Sequence, residues 1–224
     1  MNVEKPTFKQ ELSGIYSLTY IDNYDLCMSL VRLQEFYESP AFKGRYFTFE
    51  EYMDYWSRDF GHGVFDYPVV WGGFNIPGNI VLKWFQWFGC NMRPRELELF
   101  EVILMNIPLY DFKKSYFIFV AKDSKDLEGT LRHEIAHGMY SLVDEYKTAC
   151  DKLLKNVAKK PYDIAVKQLI KMGYDDEMIM DELQAYWSTT EELSIHKSLK
   201  VRSTFKTNYE IWREKLNVET CDIT

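Results

Sequence analysis

The chain is 224 residues long, 46% hydrophobic and 17% aromatic, which is enough apolar matter to bury a core and too much for a disordered chain. Its 34 acidic against 27 basic side chains leave a net charge of −7, which disfavours nucleic acid or an anionic membrane as the main partner, because both require a basic footprint. Cys27, Cys90, Cys150 and Cys221 are far apart, with no Cys-x-x-Cys pair. They read as reduced thiols, although four cysteines can also pair in a secreted protein.

The opening, MNVEKPTFKQELSG, has no apolar core of signal-peptide length, so a cytoplasmic setting is expected, with export by another route left open. Asp22 and Asp25 head a pattern, Leu26, Leu30, Leu33 and Phe36, that predicts an amphipathic helix ending before Ser39 and Pro40. Thr48 followed by Glu51 is a capping box for a second helix carrying Tyr52, Tyr55 and Trp56. Residues 61–78 hold five of the chain's eleven glycines and read as a loop, either a plain connection or the lining of a cleft. His62 sits alone within it. Pro77 suits the first turn of a helix running through Phe88, with Trp84 and either Phe85 or Phe88 buried.

Leu97–Met105 reads as a further helix stopped before Pro108. Ser115–Ala121, SYFIFVA, is the best strand candidate, with Asp123 and Ser124 behind it as helix caps. The most apolar stretch, Val69–Phe88, is interrupted by Asn75, Pro77, Asn79, Lys83 and Gln86, so no membrane span is expected. Lys152, Lys155, Lys159 and Lys160 read as a solvated face. Nothing repeats and no low-complexity linker divides the chain. One domain is therefore expected, with a helical, aromatic-rich half up to about residue 112 and a second half from about 113 to 224.

The chemistry concentrates in Leu127–Leu142, LEGTLRHEIAHGMYSL. His133 and His137 are four apart and share one helix face, so both imidazoles can reach one ion, with Glu134 turned about 100° away. Leu127, Leu131, Ile135, Met139 and Leu142 form the apolar stripe. The histidines lie on the other side with Thr130, Tyr140 and Asp144, and Gly129, Ala136 and Gly138 leave room for something to approach.

A catalytic zinc needs a third protein ligand. Positions 140 and 143 are Tyr and Val, which excludes the His-x-x-Gly-x-x-His extension. The region twenty residues on reads Lys155, Asn156, Val157 and lacks a glutamate. The strongest candidate lies in Asp175–Trp187, a helix expected after Gly173, capped by Asp175 or Asp176, with Met178, Ile179, Leu183 and Tyr186 on its apolar side. Glu182 points close to that side, where a bound cation explains a buried acid.

A strand leading into a His-Glu-x-x-His helix, then a second helix with a glutamate, resembles the gluzincin class of zinc metallopeptidases, the thermolysin-like and lethal-factor-like proteins. The resemblance covers about residues 115–190. It implies an α+β fold, mostly helical with a small sheet around a zincin-like core. Zn²⁺ would be held by His133, His137 and Glu182, with Glu134 as general base and Tyr174 as oxyanion donor. Tyr186 and His196 are alternative donors. The substrate implied is a protein or peptide. Where several gluzincins carry an acid one turn after the ligand glutamate, this chain has Ala185 and Tyr186, which leaves the carboxylate that orients a histidine as Asp144 or Asp181. Peptide deformylases combine the same motif with an upstream cysteine; Cys90, in FGCNMRPRE, is upstream but without the deformylase glycine motif. A zincin-like module that binds metal or a partner without turnover also remains open.

Overall fold

The computed structural model describes residues 4–172, 174–189 and 199–221. The fold is mixed α+β, mostly helical, with one small sheet. In chain order the elements are β1 (Thr7–Leu12), β2 (Ile15–Tyr20), α1 (Asn23–Glu38), α2 (Phe49–Asp59), α3 (Tyr67–Val70), β3 (Gly73–Pro77), α4 (Gly78–Phe88), α5 (Pro94–Asn106), β4 (Tyr116–Ala121), α6 (Leu127–Leu142), α7 (Asp144–Lys155), α8 (Lys159–Lys171), α9 (Ile179–Thr189) and α10 (Leu199–Cys221). They form two compact units, one from the chain up to Gln10 with Tyr16–Leu127, the other from Glu11–Ile15 and the chain from Glu128 on. No helix among the described residues is long and apolar enough to cross a membrane.

The first unit carries most of the sheet, which is ordered β1-β2-β4-β3. Strand β4 is buried along its whole length, as its uninterrupted apolar run requires. Strand β3 runs antiparallel to it at the sheet's edge, from Gly73 opposite Val120 to Pro77 opposite Tyr116. An edge tolerates Pro77, which has no N–H to donate. The glycine-rich stretch is therefore not one loop, because its Phe74 and Ile76 alternate inward and form a strand. Strands β1 and β2, which helix and turn signals alone do not reveal, meet at Ser13–Gly14, where Gly14 adopts φ 74°.

The local signals upstream act as their chemistry predicts. The Asp22 carboxylate accepts from the Asp25 N–H at 2.8 Å and starts α1. Thr48 and Glu51 form both hydrogen bonds of a capping box on α2. Helix α4 begins at Gly78, so Pro77 ends β3 and stands at the N-cap rather than in the first turn, and the helix buries Val81, Trp84 and Phe88. A Cβ on Gly78 would lie 2.1 Å from the Phe112 carbonyl oxygen, so only glycine lets α4 start this close to that segment. The core around these elements is aromatic, with Phe36, Phe47, Tyr52, Tyr67, Trp84, Phe88 and Phe112 among its fully buried side chains.

The second unit is helical. Helix α9 packs against α7, α8 and α10, with Trp187 and Phe205 in ring contact at 5.3 Å. The Tyr209 hydroxyl on α10 donates to the Arg132 carbonyl oxygen of α6 at 3.3 Å. Lys152, Lys155, Lys159 and Lys160 are all exposed, a solvated face as expected. Cys27, Cys90 and Cys150 are free thiols.

Candidate metal centre

Helix α6 spans the predicted Leu127–Leu142, but it is buried on more than the apolar stripe: Gly129, Ile135, Ala136, His137, Gly138, Met139 and Tyr140 are all buried. The expectation that both histidines face away from the core is corrected here. His137 is 4% exposed; its Nδ1 meets Asp181 of α9, and the Gln184 side chain of α9 donates to the Ala136 carbonyl oxygen at 3.2 Å. The turn Lys122–Asp126 separates α6 from β4, and within it the Ser124 N–H donates to the Ala121 carbonyl oxygen. Asp123 and Ser124 thus precede the cap position.

The packing of α6 on α9 brings three Lewis-basic side chains together. His133 Nε2 and His137 Nε2 are 3.2 Å apart. Glu182 Oε2 lies 3.8 Å from His133 Nε2, and Glu182 Oε1 lies 3.6 Å from His137 Nε2. One ligand atom from each of the three residues falls within 4.8 Å of the others, a group that can hold a metal ion. A tetrahedral ion with bonds of about 2.0–2.1 Å spaces its ligand atoms about 3.3 Å apart, close to these separations. Glu182 is 5% exposed, and its Oε2 has no hydrogen-bond partner among the described residues. A buried carboxylate oxygen left so costs free energy unless a cation meets it, so the donor set fits a metal.

The far sides of the imidazoles are occupied as well. His137 Nδ1 lies 2.9 Å from Asp181 Oδ1; a carboxylate there accepts the Nδ1 proton and leaves the Nε2 lone pair facing His133 and Glu182. The Thr189 hydroxyl donates to the Ala185 carbonyl oxygen at 2.8 Å, and its oxygen makes a long contact of 3.5 Å with His133 Nδ1. Burial opposes a charge on His137, yet Asp181, together with Glu182 and Glu134, outweighs it and lifts the pKa to about 10.

Among the other predicted residues, Glu134 is half-buried on α6, next to His133. Tyr174 is half-buried, its hydroxyl 3.3 Å from that of Tyr186, and the Tyr186 ring lies 4.6 Å from the His133 ring. Burial first, then the charge of Glu182 and the Tyr186 contact, push the Tyr174 phenol well above its ordinary pKa, so it stays protonated and able to donate. Of the two candidates for the orienting acid, Asp181 meets His137, whereas Asp144 is exposed at the start of α7. The metal-capable group among the described residues contains no cysteine. Cys90 is exposed in the turn Gly89–Asn91, and His62 is exposed with φ 50°. Gly173 and His196 lie outside the described residues. Helix α9 starts at Ile179, so Asp175 and Asp176 stand before it in a turn.

Sequence reasoning missed Thr189 and Gln184. The one signal for Gln184 was an amide between Leu183 and Ala185, three positions after Asp181, on a helix whose neighbours are apolar. Comparison with known proteins supplies no relative: no family model matches the chain, and no curated protein or solved structure matches it.

Proposed function

We propose that the chain is a zinc-dependent metallopeptidase of gluzincin type, with His133, His137 and Glu182 as metal ligands and a protein or peptide as substrate. The observation that carries this reading is the convergence of two imidazole nitrogens and a buried carboxylate within 4.8 Å, on a helix that also presents Glu134. Zinc held by His133, His137 and Glu182 would supply Lewis acidity, polarising a carbonyl and lowering the pKa of water to about 7.

The chain's own residues supply the rest. Glu134 takes a proton from the attacking water as its oxygen adds to the carbonyl carbon, and returns that proton to the amine nitrogen as the C–N bond breaks. Tyr174, held protonated, donates to the oxyanion of the tetrahedral intermediate. Asp181 fixes the His137 ring, the role that the resemblance assigns to an acid one turn after Glu182, where Tyr186 stands. A deformylase-like amidohydrolase is less supported, since the group holds Glu182 and no cysteine.

The test uses the 224-residue chain loaded with Zn²⁺ and acting on casein and a random peptide library. The Glu134→Gln variant is expected to keep its zinc and to lose about a thousandfold or more of the hydrolysis, the scale on which removing a general base acts. Hydrolysis unchanged in Glu134→Gln overturns the enzyme reading. A zinc-loaded parent with no turnover on either substrate favours a zincin-like module that binds without catalysis.

A further inference from the structure

We infer that Gln184 is a positioning residue for the metal site, acting on His137 through Asp181; this rests on the metal-site reading above. The Asp181 side chain is 32% exposed, so burial alone does not hold it against His137. What holds it is Gln184 Nε2, which donates at 2.9 Å to the same oxygen, Oδ1, that meets His137 Nδ1. Gln184 itself is 0% exposed. Its Oε1 accepts from the Tyr146 hydroxyl of α7 at 2.8 Å, and its Nε2 also reaches the Ala136 carbonyl oxygen on α6. Cys150 lies 3.9 Å from that Oε1, and Asn208 on α10 donates to the Cys150 sulfur at 3.4 Å.

The amide thus has both N–H donors and its oxygen in use, and every partner is on an element of the second unit. A buried amide satisfied at each end has one orientation. With Gln184 fixed, Asp181 Oδ1 is fixed, and with it the tautomer and the ring plane of His137. Remove the amide and Asp181 is free to turn to water, taking the Nδ1 hydrogen bond with it. Partners of this kind change metal affinity by about 10- to 100-fold.

The experiment measures Zn²⁺ affinity by competition with a chromophoric chelator and records the visible spectrum of the Co²⁺-loaded protein, for the parent, Gln184→Met, Asp181→Asn and the double variant. Circular dichroism checks that each is folded. Gln184→Met is expected to weaken Zn²⁺ binding about 10-fold or more and to shift the Co²⁺ bands. Because it acts through Asp181, the double variant should bind within about twofold of Asp181→Asn alone. A folded Gln184→Met with parental affinity and spectrum overturns the inference, and so does a double variant whose loss is the product of the two single losses. If Gln184→Met fails to fold, Gln184→Asn, which keeps an amide but withdraws it from Asp181, is expected to show the same loss, and parental binding in it overturns the inference. A parent that binds neither ion overturns the metal reading and this inference together.

Discussion

Each unit buries a glutamate, and the two are treated in opposite ways. In the first unit Glu96 is 0% exposed, and both its oxygens are met. Arg32 Nε donates to Oε1 at 2.8 Å, Arg32 Nη2 donates to Oε2, and the Arg93 backbone N–H reaches Oε2 at 2.8 Å. The Arg32 guanidinium also donates to the Asn91 carbonyl oxygen and lies 4.9 Å from the Phe88 ring centroid. In the second unit Glu182 is 5% exposed, its Oε2 has no hydrogen bond among the described residues, and His133 Nε2 and His137 Nε2 lie 3.8 and 3.6 Å from its oxygens. A carboxylate whose oxygens are both satisfied by the protein holds structure together. One that converges with two imidazoles, with an oxygen left unpaired among the described residues, has the donor set that can take a cation.

The largest effect should come from breaking the satisfied glutamate. Arg32→Met leaves Glu96 buried without its guanidinium and is expected to lower the unfolding free energy by about 3–5 kcal/mol in urea titration. The matching change at the other carboxylate should cost far less in the metal-free protein. Glu182→Gln is expected to shift stability by no more than about 1 kcal/mol, since an isosteric amide needs no cation. A loss as large as that of Arg32→Met would erase the distinction between the two sites. Smaller still, Thr189→Val should weaken Zn²⁺ binding about threefold in a chelator competition, as suits a long contact to His133 Nδ1.

The least effect concerns a third acid, Glu35, in the first unit, where Tyr67 donates to it at 2.9 Å. Burial raises its pKa above 4.5, more than its tyrosine and serine hydrogen bonds lower it. A group with a raised folded-state pKa contributes stability that is fully present below the unfolded value and is lost as pH rises through the folded one. The stability of the parent relative to Glu35→Gln should therefore be highest below about pH 4.5 and fall above it. A difference that is flat across pH 4–7 would contradict a buried, destabilised carboxylate there.

Local chemistry made much of the helical framework legible. The Asp22 cap, the Thr48–Glu51 box and the 3.6-residue stripe of α1 each involve neighbours within one turn, so they can be read without a fold. The same holds for β4, whose run of aromatic and β-branched residues has no helical alternative of comparable quality. Strand β3 was hidden because Gly73, Asn75 and Pro77 are turn residues by type, and its strand character comes from pairing with β4. His133 and His137 were legible as a pair and Glu182 as a buried acid. Asp181 was one of two candidates for the orienting acid, and the choice between them, the burial of His137 and the contacts of Gln184 and Thr189 were not legible, because they depend on the approach of α9 to α6.

The central claim is that His133, His137 and Glu182 form one metal site, and a calorimetric titration of the metal-free chain with Zn²⁺ tests it most directly. One equivalent is expected to bind the parent, and Glu182→Gln, equally folded, is expected to bind at least about 100-fold more weakly, the loss of a ligand exceeding that of an outer partner. A parent that takes up no zinc, or a Glu182→Gln variant that binds it as tightly as the parent, would contradict the account.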